Sequence, residues 1–170
     1  MSLPLLPHTT PRLIVGIGEL AVAEQEATIV THALGSCIAV CIWDPELRVG
    51  GMLHFLLPDS RINPERAERQ PAAFADTGIP LLFQTAYARG LLKSRTIVSL
   101  VGGAEISREA QDGMLNVARR NTLAARNLLW RNGVLIRKED VGGTRARTVS
   151  LSLASGRILI STAGEIRRQL

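Results

Sequence analysis

The stretch that most constrains this chain is Ile38-Ala39-Val40-Cys41-Ile42-Trp43, with a turn at Asp44-Pro45-Glu46 and a second extended run over 49–57. Ile38, Val40 and Ile42 recur at every second position, the period of a strand with one face on a core. Proline pre-sets the φ required at the second position of a turn, so the middle segment reads as a hairpin connection. If Trp43 pairs with Arg48, Cys37 falls directly opposite His54. Side chains so placed share one sheet face, with Cβ atoms about 4.5–5.5 Å apart. A slip by one residue would put them on opposite faces.

The rest of the pattern is also rich in strands. Residues 12–16, 28–34, 97–101, 134–137, 148–153 and 157–161 read as further strands, the last two joined as a hairpin through Ala154-Ser155-Gly156. Two main helices are expected. One spans 75–92, with Asp76 or Thr77 as cap and Pro80 in the first turn; the other spans 114–130 and stops at Asn132-Gly133. Residues 59–73 read as a polar loop, and 1–11, with three prolines, as an irregular tail. The expected architecture is an α/β fold: one domain over 12–170, a layered α/β sandwich with strand-rich mixed sheets.

Bulk properties narrow the class. A chain of 170 residues with 46% hydrophobic and 21% charged residues is an ordinary globular composition. No run approaches the roughly 18 apolar residues of a membrane span, and no secretory leader is visible, which places the chain in the cytoplasm without membrane insertion. The net charge of +5 is almost all arginine, since Lys93 and Lys138 are the only lysines. With three Phe, two Trp and one Tyr, there is no basic run interleaved with stacking rings, so nucleic acid is not the expected partner. The charge is expected to form a solvated, arginine-rich surface, which would also steer the chain toward an acidic protein partner.

The candidate chemistry lies at Cys37, preceded by Gly35-Ser36 and followed seventeen residues later by His54. A thiol beside an imidazole is the couple needed for covalent attack on a carbonyl. The tight turn before it offers the N–H groups of Gly35 and Ser36 as candidate oxyanion or substrate contacts. Thr31 is placed to bond the other ring nitrogen, or it is simply a β-former on a strand. Cys41, about 13 Å from Cys37 along an extended strand at ~3.3 Å per residue, reads as a packing thiol, which disfavours a shared metal or a disulfide. His32 points to the other face, and His8 lies in the tail. Gly16-Ile17-Gly18 matches a dinucleotide fingerprint only weakly. Gly102-Gly103 and Gly142-Gly143 either approach a ligand closely or turn the chain.

Thr31, the run from Leu34 through Gly35-Ser36-Cys37 to Cys41, Asp44-Pro45, Gly50-Gly51-Met52, His54 and Leu57-Pro58 together resemble the bacterial chemoreceptor glutamine deamidase family, CheD. The likeness runs from Val15 to Glu165 and includes Ala75-Asp76, Gly102-Gly103-Ala104, Asn116, Arg119, Asn121, Gly142-Gly143 and Arg147. It departs at Ala118, Phe74 and Thr144, where glycine, tyrosine and asparagine are usual in the family. The resemblance implies Cys37 as nucleophile, His54 as its acid/base partner and Thr31 completing the site, with no metal or organic cofactor. It implies a sandwich similar to that of the cytotoxic necrotizing factor deamidases, and hydrolysis of glutamine side-chain amides on chemoreceptor cytoplasmic domains. Recruitment to membrane-bound receptors, regulation by the CheC phosphatase and a methylesterase side activity are further implications, and a monomer is expected. Alternatives are an adaptor docking on receptors or CheC, a thiol hydrolase or transferase for another amide, and an arginine-based nucleic-acid binder.

Overall fold

The computed structural model describes residues 10–106, 116–163 and 168–170. Among these residues, ten strands form two sheets of five. The first has the order β2 (Glu19–Glu24), β5 (Val49–Phe55), β4 (Ile38–Asp44), β6 (Ile97–Gly102), β7 (Ile136–Val141). The second has the order β1 (Arg12–Ile14), β3 (Thr28–Leu34), β8 (Arg147–Ser152), β9 (Ile158–Thr162), β10 (Arg168–Gln169). Helices α2 (Ala75–Tyr87) and α3 (Val117–Arg131) cover the first sheet, and a short α1 (Pro64–Arg69) precedes them.

The alternation in β4 explains the layering. Ile38, Val40 and Ile42 meet Ile79, Leu82 and Leu129 of the helices in one core. Ala39 and Cys41 join Met52 in a second core with Ile29, Leu34, Val149 and Leu151 of the opposing sheet. Both faces of the central strands are therefore buried, and the layers run helices, sheet, sheet. The expected α/β sandwich with two main helices is borne out. Glycine at Gly51 lets α2 sit close to β5, because a Cβ there would come within 2.9 Å of Leu82 Cδ1.

Several boundaries and one register differ from expectation. In the hairpin, Ala39, not Cys37, lies opposite His54, and Asp44 opposite Val49. The shift of two residues keeps Cys37 and His54 on the same face but makes them diagonal neighbours. Its cause is Asp44, which stays in the strand. Its buried carboxylate accepts from the Glu46 N–H at 3.0 Å and from Arg95 Nη2 at 2.7 Å, leaving a loop of four residues in which Arg48 takes φ 52°. Burial pushes that carboxyl's pKa up, but the Arg95 guanidinium and backbone N–H groups outweigh it and hold the group below its usual range.

The first strand ends at Ile14, the return strand at Phe55, and the first long helix at Tyr87. Pro80 lies inside that helix, which starts after Phe74 without a side-chain cap; Asp76 instead accepts from Ser60. Segment 59–73 contains α1, capped by Asn63 with Pro64 at its first position. The expected strand at 134–137 is shifted to Ile136–Val141, and β2 and β10 were not anticipated. Residues 114 and 115 of the expected second helix, and His8 with most of the tail, lie outside the described residues.

Replacing Asp44 by alanine removes the acceptor shared by Arg95 Nε and Nη2 and the Glu46, Leu47 and Leu92 N–H groups, and leaves Arg95 paired with the exposed Glu46 carboxylate alone. Because Arg95 is partly exposed, the expected loss is about 2–4 kcal/mol in urea unfolding, below the upper end for a fully buried pair. A change under about 0.5 kcal/mol, ordinary for a surface site, would contradict this role for the ion pair.

Candidate active site

The site forms where the chain crosses from the second sheet to the first. β3 carries Thr31, then departs from regular pairing between Thr31 and Leu34, with Ala33 at φ 55°. That irregularity turns the chain out of its sheet, and residues 35–37 pass it to β4 in the other. His54 sits on β5, a central strand held on one side by β2 and on the other by β4. Its own carbonyl accepts from the Gly18 N–H at 2.7 Å. Gly16-Ile17-Gly18 is therefore a turn leading into β2, with Gly18 at φ 74°.

Thr31 and His54 are both fully buried, and Thr31 Oγ1 lies 2.7 Å from His54 Nδ1. The threonine hydroxyl has one hydrogen, and it goes to the Val15 carbonyl at 2.7 Å. Toward the ring Oγ1 is therefore the acceptor, and the network assigns the proton of neutral His54 to Nδ1. Nε2 is left with its lone pair, buried and without a partner. Burial lowers the His54 pKa to about 4. The neutral ring is thus the resting form at neutral pH.

Cys37 precedes β4 on the same face, in the core between the sheets, and is 6% exposed. Burial raises its pKa, an effect partly offset by its own backbone N–H. A neutral thiol beside a neutral imidazole follows, not a preformed ion pair. No Cys37–His54 hydrogen bond is present in this resting arrangement, since Nε2 has no partner. Cys41 is also a free thiol, fully buried, with its pKa pushed up to about 12. His32 is exposed on the far face of β3.

The loop bearing the thiol is pinned through all three of its carbonyls. Gly35 O accepts from Ala104 N–H at 2.8 Å, Cys37 O from Gly103 N–H at 2.8 Å, and Ser36 O from Asn121 Nδ2 at 2.9 Å. Gly102-Gly103 is a turn that makes this close approach possible. Gly102 has φ 123°, and a Cβ there would stand 2.2 Å from Cys37 O. Gly142-Gly143 braces that turn in its own right, with Gly142 N–H on Gly102 O and Gly143 O on Glu105 N–H. Arg147 fastens the brace, donating to Gly142 O at 2.6 Å and pairing with Asp140 at 3.0 Å. It is buried, unlike the solvated arginines expected from composition. Among the described residues, neither Gly35 nor Ser36 gives its N–H to a backbone carbonyl.

A family model described as "CheD chemotactic sensory transduction" matches residues 56–162. The chain belongs to the CheD family. It is 50% identical over 153 residues (89% of this chain, 95% of the other) to "Probable chemoreceptor glutamine deamidase CheD 2" of Anaeromyxobacter dehalogenans. It is 42% identical over 159 residues to "Probable chemoreceptor glutamine deamidase CheD 1" of Syntrophus aciditrophicus, covering 93% of this chain and 98% of that one. Against "Chemoreceptor glutamine deamidase CheD" of Thermotoga maritima identity is 36% over 151 residues, 89% of this chain and 92% of the other. The family resemblance read from the sequence is borne out.

Asn121 and the pinning role of Gly103 and Ala104 were not singled out as site residues from sequence. The signals available were an asparagine inside an amphipathic helix, where it is a poor helix former, and a Gly-Gly pair ending an apolar strand.

Two measurements check the electrostatics. With the Cys37 thiol raised, its alkylation by iodoacetamide is expected to accelerate about tenfold per pH unit from 7 to 9, with Cys41 unlabelled in the folded protein. A rate plateau below pH 7 would instead mean a thiolate–imidazolium pair. For His54, the folded pKa of about 4 lies below the unfolded value near 6.5. Its contribution is complete above pH 6.5 and is lost as pH falls toward 4, on the order of 3 kcal/mol. The acid loss of stability is expected to be shallower in His54→Gln, and equal slopes in both proteins would refute the burial argument.

Proposed function

We propose that this CheD family member hydrolyses the side-chain amide of glutamines on chemoreceptor cytoplasmic domains, using Cys37 as nucleophile, His54 as acid/base and Thr31 as the group that fixes the ring. The observation that carries the reading is the fully buried Thr31–His54 bond at 2.7 Å, which leaves Nε2 unprotonated and free on the face shared with Cys37. The names of the relatives, chemoreceptor glutamine deamidases, support the substrate.

Because thiol and imidazole rest neutral, proton transfer accompanies attack. His54 Nε2 takes the thiol proton as the sulfur bonds to the carboxamide carbon. The N–H groups of Ser36 and Gly35 are the candidate donors for the oxyanion; pinning their loop by its carbonyls means little reorganisation is required as charge develops. The tetrahedral adduct collapses, the C–N bond breaks, and the imidazolium gives its proton to the leaving nitrogen, releasing ammonia. Water then adds to the thioester as His54 accepts its proton. Collapse breaks the C–S bond, the sulfur is reprotonated, and glutamate remains. Each cycle consumes one water and adds one carboxylate to the receptor.

Thr31 acts through the tautomer. Were Nε2 to carry the proton, it would donate toward the thiol and could not accept from it. No helix among the described residues is long and apolar enough to cross a membrane, which fits a protein that meets receptors at their cytoplasmic domains. Recruitment from the cytoplasm, action as a monomer and regulation by the CheC phosphatase belong to this reading through the family resemblance.

The test is ammonia release from, and glutamine-to-glutamate conversion in, a receptor cytoplasmic fragment. Cys37→Ala and His54→Ala are expected to lose about 10²–10⁴-fold or more in rate. Thr31→Val, which keeps the shape but loses the acceptor, is expected to lose at least about tenfold in kcat. Cys41→Ala keeps most activity. Equal rates in wild type and Cys37→Ala would overturn the mechanism, and tight binding without conversion would favour the adaptor reading.

A further inference from the structure

Asn121 projects from α3 and is fully buried. Its Nδ2 donates to Ser36 O at 2.9 Å and to Leu56 O at 2.8 Å, while Oδ1 is buried without a partner. Both partners are carbonyls, which only accept, so the orientation of the amide is unambiguous. One of them belongs to the residue just before Cys37, and the other lies two residues beyond His54. A single NH₂ group thus ties the loop of the nucleophile to the strand of the base.

Of the three carbonyls in the 35–37 loop, Gly35 O and Cys37 O are held by backbone N–H groups, and Ser36 O by this side chain. In a trans peptide the C=O and the following N–H point in opposite directions. Drawing Ser36 O toward α3 therefore turns the Cys37 N–H away from the helix, and that N–H acts against burial to lower the thiol's pKa. The helix itself is seated against the same loop system: a Cβ on Gly103 would come within 2.6 Å of Thr122 Oγ1.

Resting on the deamidase reading, we propose that Asn121 is a positioning residue, whose two N–H bonds set the Ser36–Cys37 peptide plane and fix the loop that carries the thiol relative to His54. The site uses only the donor half of the amide, as the unpartnered Oδ1 indicates. A carboxylate of the same shape would present oxygen to two carbonyls and remove both bonds. Once protonated, it would restore one.

The test uses Asn121→Ala and Asn121→Asp in the full chain, each first checked for folding by near-UV circular dichroism. In Asn121→Ala, kcat on the receptor fragment is expected to fall about 10- to 100-fold, the equivalent of leaving a buried carbonyl unsatisfied, with KM within about twofold. Substrate-free alkylation of Cys37 at pH 8 is expected to slow by about threefold or more, because a turned peptide plane takes away the influence of the Cys37 N–H that lowers the thiol's pKa. A residue that merely holds the helix in place predicts the opposite, faster alkylation of a loosened, more exposed thiol. In Asn121→Asp the ratio of variant to wild-type kcat is expected to rise as pH falls from 8 to 6, since a carboxyl buried against carbonyls protonates in that range. Unchanged or faster alkylation in the folded alanine variant, or a flat ratio in the aspartate variant, would overturn the proposal. If wild type releases no ammonia, the deamidase reading fails, and the alkylation arm still tests the positioning of Cys37 separately.

Discussion

The hydrogen bond between His54 Nδ1 and Thr31 Oγ1 crosses the gap between the two sheets, so the state of the imidazole depends on how the sandwich closes. Thr31 belongs to one sheet and His54 to the other. The threonine proton is committed to Val15 O, a residue just past β1, which sets the direction of the bond. The β1–β3 pairing, the β3 irregularity and the central place of β5 all converge on that one contact. A buried imidazole is costly to charge, and here the cost is turned to use: the ring stays neutral with Nε2 as its basic atom.

The Cys37 thiol is held by a different kind of structure. Residues 35–37 form no regular element, yet each carbonyl is held from outside, by the 103–104 turn and by α3. The turn is in its own right supported by the 142–143 loop and the Arg147–Asp140 pair. Support therefore passes inward through nested loops, each needing glycine where a side chain would collide with backbone. Among the described residues the loop's carbonyls are held while the Gly35 and Ser36 N–H groups go to no backbone carbonyl, the arrangement an anion-binding loop requires.

How far the sequence disclosed this follows from the range of each interaction. The β4–β5 hairpin was legible because alternation and turn chemistry are local. Its register was misjudged by two because Asp44 was read as turn; its strand position depends on Arg95, fifty-one residues along. β2 escaped notice because Glu19–Glu24 is short and alanine-bearing, and it becomes a strand through pairing with β5. The α1 start at Asn63-Pro64 carried a cap signal that a polar composition obscured. Cys37, His54 and Thr31 stood out by residue type and spacing, whereas Asn121 did not, because Ser36 and Leu56 lie 85 and 65 residues from it. The tautomer was beyond the sequence altogether, since it turns on a carbonyl at Val15.

The most direct test of the account is the protonation state of His54, read by long-range ¹H–¹⁵N correlation on protein labelled in the imidazole nitrogens. At pH 7 a neutral ring with its proton on Nδ1 is expected, unchanged until the pH approaches about 4. A ring protonated on Nε2, or an imidazolium at pH 7, would contradict it.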